Sequence, residues 1–373
     1  MRYRPATTQG KPHPLTRRSF MGAVAASAAT WMAPRAALHA AAAPRARAID
    51  VHAHFYPESY LRSFAEKGGA QNFSAEVNGP NAFTLISNGG RLQLDETFWN
   101  LDKRLARLQA SGITTQILSL SQPMTHLVAP ERGAELARLF NDAVIEAHKR
   151  YPTTYYGCAT LPLQAMPLAL KELERIGGEQ AIKGIYLPTS LPWGELSDAS
   201  MHPLYERCQE MRLPILLHPL TVIGVERLRS FYFANLLGNP YDTGVAASYL
   251  CFSGTMDKFP KLSFVLPHVG GTFPFLAGRL AHGQEVRAEN KSQMKYPLRD
   301  YLKERFYYDS ITHSSQILGF LIKEVGVERI MVGSDYTFDM GPAMPTQAVL
   351  EQKLSAADEN KILYGNAAKL LRI

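Results

Sequence analysis

The stretch AIDVHAHFYP, residues 48–57, places His52 and His54 two positions apart at the end of a run that predicts a β-strand. Side chains alternate across a strand, so residues i and i+2 share a face and their ring nitrogens can converge on one point. If that face points into the mouth of a barrel, the pair is half of a metal site. The rest of the chain decides whether such a barrel is expected.

Beyond residue 46 the chain alternates strand-like apolar runs with amphipathic stretches, for example PERGAELARLFNDAVIEAHKRYP at 130–152. This alternation is typical of βαβ units and a parallel sheet. It predicts an α/β fold, a (β/α)8 TIM barrel over residues 47–373, with a small insertion after strand 1 at residues 67–97 that could cover the mouth. The eight candidate strands are 48–55, 113–120, 155–161, 182–188, 214–219, 262–268, 305–311 and 329–334.

The first forty residues have the pattern of an export signal. Arg17 and Arg18 precede an apolar run from Phe20 to Ala33, and small residues then lead to a cleavage site near Ala40. The arginine pair followed closely by Phe20 resembles a twin-arginine signal over residues 1–40, which predicts a periplasmic protein. The alternative is an uncleaved anchor, but the run is shorter than the roughly 20 residues that a membrane span needs. We therefore expect no stable membrane anchor after cleavage.

Charge and cysteine content narrow the classes of function. Residues 1–40 hold six of the 40 Lys and Arg residues and no acid, which leaves 34 bases against 33 acids in the rest of the chain. Nucleic-acid binding needs a clustered basic face, so we expect no nucleic-acid partner. The three cysteines, Cys158, Cys208 and Cys251, lie in apolar segments, which favours buried free thiols over a disulfide framework.

Three more metal-capable side chains stand at the ends of predicted strands. His218 lies in PILLHPL on strand 5, His268 in SFVLPHVGG on strand 6, and Asp335 in IMVGSDY on strand 8. The carboxyl ends of the strands form the active face of such a barrel, so these three should meet the His52 and His54 pair there. A lone strand-end histidine is ordinarily structural, and Asp335 alone fits a helix N-cap. The joint placement predicts a metal site.

These residues also carry a family resemblance. The chain from about 48 to 370 resembles the amidohydrolase superfamily and, within it, the branch of amidohydrolase-related decarboxylases, where it is most similar to the 2-amino-3-carboxymuconate 6-semialdehyde decarboxylases. The stretches that carry the resemblance are DVHAHFYP, LPILLHP, HVGGTFPFLAGRLAHG, YYDS, VGSDYTFDMG and ILYGNAAKLL.

The resemblance implies a role for each strand-end group. His268 would stand beside a metal-bound water as an acid/base. The protein would be a homodimer in which Arg279 reaches into the partner's pocket. The ligands of one zinc ion would be His52, His54, His218 and Asp335.

Ligand type agrees with a metal independently of the resemblance, because imidazole with carboxylate suits zinc, with manganese or iron possible. Strand 4 has one lysine, Lys183, at the amino end of IKGIYLPT. It is too far down the barrel to bridge two metals at the mouth, so we expect a single divalent ion. Asp309, on strand 7, either orients a ligand histidine or is a buried structural carboxylate.

Two arginines are candidates for holding a substrate carboxylate. Arg91, in NGGRLQL, and Arg279 correspond in position to arginines that bind carboxylates in the family, and guanidinium groups grip carboxylates in a bidentate way. The alternatives are a solvated loop charge for Arg91 and a helix salt bridge for Arg279.

The chain departs from those decarboxylases around the pocket. PLTVIG follows His218 where they have Trp-Asp, Asn235 falls at a pocket tryptophan, and Val269 replaces a glycine. The ligands are intact, but the substrate could equally be an aromatic or hydroxylated benzoate-type acid.

The pattern as a whole predicts non-oxidative decarboxylation of a small unsaturated or aromatic carboxylic acid, without a redox cofactor. His268 and Asp335 would manage the proton that replaces CO₂ on carbon. The alternative is hydrolysis of an amide, ester or lactone by metal-activated water with His268 or Asp335 as base, which the same residues serve. A periplasmic binding protein on a degenerate barrel is a third class, against which the intact ligand set argues.

Overall fold

The computed structural model describes residues 47–68, 70, 73–87 and 90–373, and the predicted export signal lies outside this part of the chain. No helix in the described part is long and apolar enough to cross a membrane. The strands are β1 Ile49–His54, β2 Phe73–Gly79, β3 Ala82–Ser87, β4 Gly90–Leu94, β5 Thr115–Ser119, β6 Tyr155–Ala159, β7 Ile182–Pro188, β8 Ser190–Leu191, β9 Gly194–Glu195, β10 Ile215–His218, β11 Phe264–Leu266 and β12 Phe306–Tyr308. The helices are α1 Glu58–Glu66, α2 Leu101–Ser111, α3 Pro130–Arg150, α4 Met166–Ile176, α5 His202–Met211, α6 Asn239–Phe252, α7 Thr255–Lys258, α8 Phe273–Val286, α9 Leu298–Glu304, α10 Ser315–Val325, α11 Gln347–Leu350, α12 Ala356–Asn360 and α13 Asn366–Leu371.

Seven strands form one curled sheet in the order β1-β5-β6-β7-β10-β11-β12. Every neighbouring pair is parallel. Helices connect successive strands because a parallel pair needs a crossover that returns the chain to the same edge. These strands correspond to the first seven predicted ones, and the fold is α/β.

The predicted eighth strand, 329–334, is wrong as a regular strand. This segment lies between β12 and β1 and shares its backbone hydrogen bonds between them, since Met331 donates to Tyr308 and Val332 accepts from Val51. The segment forms no continuous ladder with either neighbour, and directly after it the backbone turns to a φ of 54° at Asp335. The single bridges that remain join Ile330 to Tyr308, Val332 to Asp50, and Tyr336 to Ala53.

Strand β1 carries one more residue than β5 across the paired region. In a regular strand, successive side chains alternate between the two faces of the sheet, so Val51 and His52 would lie on opposite faces. The bulge breaks this alternation and changes which side chains share a face. Val51 packs in the inner hydrophobic group, and His52 also faces inward, towards His54. The pairs that define the bulge are Asp50 with Gln116 and Ala53 with Leu118.

Hydrophobic side chains fill both faces of the curled sheet. Between sheet and helices, α3 starts with Pro130 at its first position and buries residues at helical spacing, including Leu136, Phe140 and Val144. Cys158, Cys208 and Cys251 are free and buried. The inner group consists chiefly of Ile49, Val51, Ile117, Cys158, Tyr186, Leu216, Val265 and Met331.

A separate three-stranded antiparallel sheet, β2-β3-β4, occupies most of the segment between α1 and α2. Its outer strand β4 is mostly exposed. Helix α2 follows it and begins after Asn100, whose side chain accepts from the backbone of Asp102 and Lys103. The helix ends at Gly112, which takes the left-handed φ of 79° that glycine adopts without strain.

Candidate metal centre

Five side chains gather at the carboxyl ends of the inner strands, and we call them the donor cluster: His52, His54, His218, His268 and Asp335. His54 and His218 are the last residues of β1 and β10, and His268 follows β11 by two positions. Asp335 follows the segment that bridges β12 and β1. Four of the five are buried and His268 is partly exposed. The structure therefore brings together residues from four separate parts of the sequence.

Distances within the donor cluster suit a shared ion. The Nε2 atoms of His52 and His54 are 3.2 Å apart, and Oδ1 of Asp335 lies 2.9 Å from the His54 Nε2 atom and 3.5 Å from that of His52. Ligands about 2.0–2.2 Å from one ion, at right or tetrahedral angles, lie roughly 2.8–3.6 Å from each other. One donor atom from each of four residues also lies within 4.8 Å of the others, and these residues are His52, His218, His268 and Asp335.

Partial exposure, more than ring separation, distinguishes His268 from the other histidines. The His54 and His218 ring centroids are 4.8 Å apart, and those of His52 and His218 are 5.2 Å apart. The His268 ring lies 5.3 Å from that of His52 and 5.9 Å from that of His218. His268 thus stands at the accessible side of the cluster.

Two buried ring nitrogens of the cluster have no hydrogen-bond partner in the described part of the chain. They are the Nδ1 atoms of His218 and His268. A buried polar atom without a partner is unfavourable, and a metal ion satisfies an imidazole lone pair. The His218 nitrogen therefore fits a ligand of a divalent cation, and the unpaired His268 nitrogen is available to carry a proton.

His52 is oriented from behind by a carboxylate. Its Nδ1 atom lies 2.7 Å from Oδ2 of Asp309, which follows β12. With its proton on Nδ1, the neutral ring donates to Asp309 and turns its Nε2 lone pair to the cluster, the arrangement by which carboxylates commonly orient ligand histidines. This contact favours the orienting role for Asp309.

Electrostatics also suit a cation. Burial lowers the pKa of His218 and of His268, and brings that of His54 to about 4, so these rings are neutral at pH 7. Burial raises the pKa of Asp335, but the hydrogen bond with His54 and the charge of His52 outweigh it and hold this pKa below its ordinary value. The neutral imidazoles of His54, His218 and His268 and the ionised carboxylate have the protonation states that metal binding requires. Burial lowers the pKa of His52, but the hydrogen bond to Asp309 and the charge of Asp335 outweigh it and raise this pKa, so this ring must give up a proton when an ion binds.

Three of the ten non-glycine residues that have a left-handed φ in the described part of the chain lie at the cluster. His268, Val269 and Asp335 each have a φ of 54°, a left-handed conformation that is uncommon outside glycine. Such conformations cost on the order of 1–3 kcal/mol each and persist where the surrounding structure holds them. The strain turns His268 and Asp335 at the points where regular strands would have continued.

Residues behind β1 that the sequence analysis did not single out support the cluster. Asp50 accepts hydrogen bonds from Gln116 at 2.9 Å and from the backbone of Ser334 at 3.0 Å, and burial raises its pKa to about 6. Arg104 of α2 is completely buried and contacts Gln116. Helical spacing could have indicated that Arg104 is buried, because it lies on the same face of α2 as Leu101 and Leu108.

The two candidate substrate arginines lie elsewhere in the described chain. Arg91 is exposed on β4 and pairs with Glu76 of β2, with Nη1 3.2 Å from Oε1. Arg279 is exposed on α8, one turn beyond the exposed Phe275. Their contact with a substrate stays a prediction. Lys183 lies near the amino end of β7 and donates to the backbone of Arg372 at 3.2 Å, away from the cluster.

Comparison with known proteins identifies relatives across most of the chain. A 2-amino-3-carboxymuconate-6-semialdehyde decarboxylase of Dictyostelium discoideum is 27% identical over 333 residues, covering 88% of this chain and 92% of that protein. A gamma-resorcylate decarboxylase of Polaromonas sp. is 32% identical over 289 residues, covering 73% of this chain and 87% of that protein.

Solved structures agree. The crystal structure of a dihydroxybenzoic acid decarboxylase from Polaromonas sp., with bound manganese and the inhibitor 2-nitroresorcinol, superposes with a TM-score of 0.70 at 25% identity, covering 87% of this chain and 96% of that one. The relatives thus include metal-bound decarboxylases of aromatic acids. The amidohydrolase family profile matches residues 49–373, and the chain belongs to the amidohydrolase family.

Proposed function

We propose that this protein is a metal-dependent, non-oxidative decarboxylase of a small aromatic or unsaturated carboxylic acid. The observation that carries the proposal is the donor cluster, in which His52, His54 and Asp335 stand at the mutual distances expected of ligands to one ion. Decarboxylases among the relatives, one of them with bound manganese, support the reaction class.

The ligands of one divalent ion would be His52, His54, His218 and Asp335. Zinc suits this set of imidazole and carboxylate donors, and manganese or iron also fits. When bound, the ion would stabilise negative charge that develops on a substrate oxygen during cleavage. His268 is left free at the accessible side.

In this reaction the bond between the substrate carbon and its carboxyl carbon breaks, CO₂ leaves, and the electron pair stays on the carbon. A proton then takes the place of CO₂. His268 would take this proton from solvent and pass it to the carbon, because its ring is partly exposed and lies 5.3 Å from that of His52. Asp335 would take part through its carboxylate, which is held ionised in the cluster.

A homodimer would complete the pocket. Arg279 is exposed on α8 next to the exposed apolar residues Phe275 and Leu276, which supports a face that meets a second subunit. From there Arg279 would reach the partner's substrate carboxylate. Arg91 would bind the substrate carboxylate from β4 in place of Glu76. Its ion pair with Glu76 is exposed, and such a pair contributes little to stability.

The surrounding architecture fits the same proposal. The segment 330–336, which bridges β12 and β1, would take the place of the eighth strand of a (β/α)8 barrel. The β2-β3-β4 sheet would be an insertion after the first strand. Residues 1–40 would direct export to the periplasm by the twin-arginine route.

The test is to load the purified protein with zinc, manganese or iron and incubate it with carboxyl-labelled gamma-resorcylate and related benzoates. We expect labelled CO₂ from at least one acid, and none from metal-free protein. Base uptake with ester or lactone substrates, without CO₂ from any acid, would overturn the proposal in favour of a hydrolase.

A further inference from the structure

We propose that Arg104 is a positioning residue that holds the two sides of the metal centre, His54 on β1 and the segment around Asp335, in register. The inference rests on the metal site proposed above. It concerns a residue of α2 that lies outside the donor cluster and is completely buried.

The guanidinium group fixes the end of β1. Its Nη1 atom donates to the carbonyl oxygen of His54 at 2.8 Å and to that of Thr97 at 3.0 Å. Its Nη2 atom donates to Oε1 of Gln116 at 3.1 Å. Three acceptors from three separate segments thus meet on one rigid, planar group, which a lysine ammonium cannot reproduce.

The same group reaches the segment that carries Asp335. Its central carbon lies 4.7 Å from the centre of the Tyr336 ring, a cation–π distance. Tyr336 follows Asp335 directly, and its carbonyl oxygen accepts from the backbone N–H of His54. Arg104 therefore contacts His54 itself and the immediate neighbour of Asp335.

A third connection runs through Gln116 to the remaining strand-1 histidine. Nε2 of Gln116 donates to Oδ2 of Asp50 at 2.9 Å. The other carboxylate oxygen accepts from the backbone N–H groups of His52 at 3.1 Å and Ser334 at 3.0 Å. Movement of Arg104 would thus disturb the backbone at His52 as well as at His54.

The charge of Arg104 and its hydrogen bonds act on the metal in opposite directions. A buried positive charge repels a cation in the nearby centre, so loss of the charge alone should tighten metal binding. Loss of the hydrogen bonds releases His54 and the Asp335 segment, which should weaken it. The sign of the change therefore separates positioning from simple electrostatics.

The test compares Arg104→Met with wild type by chelator-competition measurement of Zn²⁺ and Mn²⁺ affinity. We expect a loss of about tenfold or more, as for other groups that orient metal ligands. The matched control is Arg132→Met, because the Arg132 side chain is only 14% exposed and also donates to a backbone carbonyl, that of Ser63, without contact to the cluster. The control should keep wild-type affinity even if it melts at a lower temperature.

Two further measurements exclude a merely structural role. The electron paramagnetic resonance spectrum of bound Mn²⁺ should change in Arg104→Met and not in Arg132→Met. Arg104→Lys keeps the positive charge but loses the planar guanidinium group, and it should also bind metal more weakly than wild type. This variant provides the test if Arg104→Met does not fold.

Wild-type affinity in Arg104→Met or Arg104→Lys, or tighter binding by Arg104→Met, would overturn this inference alone. Absence of metal binding by the wild-type protein would instead overturn the proposed function on which it rests.

Discussion

The carboxylate of Asp309 holds the ring of His52, with Oδ2 2.7 Å from Nδ1. Its other oxygen accepts from the backbone N–H groups of Val269 at 3.0 Å and Ile311 at 3.1 Å. Both oxygens are thus fixed by the protein, so the orientation of His52 is set before any metal arrives.

Asp309→Asn should lower metal affinity by about 10–100-fold, because the amide orients His52 less strongly and makes its Nε2 less basic. Chelator competition measures the change. Asp242→Asn is the control, since Asp242 is also buried and accepts from the backbone of Ile223, outside the donor cluster. Equal affinities for Asp309→Asn and wild type would contradict the orienting role.

His54→Ala and His268→Ala should behave differently although the two rings belong to one cluster. We expect His268→Ala to keep one ion and lose turnover, because it removes the proton donor at the accessible side. His54→Ala should lose the ion, because its Nε2 atom lies 3.2 Å from that of His52 and 2.9 Å from Asp335. Elemental analysis with parallel CO₂ assays distinguishes them. Metal loss from His268→Ala would show that it is a ligand.

Removal of the metal should abolish decarboxylation and lower the melting temperature. An ion at 100 times its dissociation constant stabilises the folded state by about 2.7 kcal/mol, since the unfolded chain lacks the assembled site. Differential scanning calorimetry of metal-free and reloaded protein gives this shift. His54→Ala should melt at one temperature with or without metal, and a metal-dependent shift in that variant would place the ion elsewhere.

Stability should fall at alkaline pH because of buried tyrosines. Burial raises the pKa of Tyr60, Tyr205 and Tyr308 well above 10.0. Their stabilising contribution is complete below pH 10 and is lost as the pH rises from there towards the folded-state pKa values, because the unfolded chain releases these protons first. Each group contributes a slope of about 1.4 kcal/mol per pH unit.

Urea unfolding at a series of pH values, followed with tyrosinate absorbance, measures this decline. Tyr308→Phe should lose about 1 kcal/mol of stability at pH 7, because it removes the 2.9 Å hydrogen bond to the Leu302 carbonyl, and its stability should decline less steeply above pH 10. A decline as steep as that of wild type would contradict the assignment for Tyr308.

The positions of the cluster residues were predictable because apolar runs that end in a polar side chain mark strand ends. His218 is such a case, at the end of a strand whose residues Ile215, Leu216 and Leu217 are buried. The same logic failed for residues 329–334, since a run of apolar residues does not reveal that its backbone hydrogen bonds are divided between two neighbours as single bridges.

The extra residue in β1 and the burial of Arg104 were not predicted. Simple alternation accounts for His52 and His54 sharing a face, but the bulge that lets Val51 pack inward depends on pairing with β5. Arg104 lies between Lys103 and Leu105, and local charge favours an exposed position. Its burial depends on acceptors from three distant segments, which only the assembled fold brings together.

The contact between His54 and Asp335 spans 281 positions of the chain. Contacts of such long sequence separation form late in folding, because the entropy cost of closing a large loop comes before the contacts stabilise the chain. Asp335 must be synthesised before all four proposed ligands exist, so the complete proposed site would form only after that point. Under the proposed ligand set, metal binding would report that both ends of the sheet have assembled, and a chain truncated before Asp335 should lose metal binding.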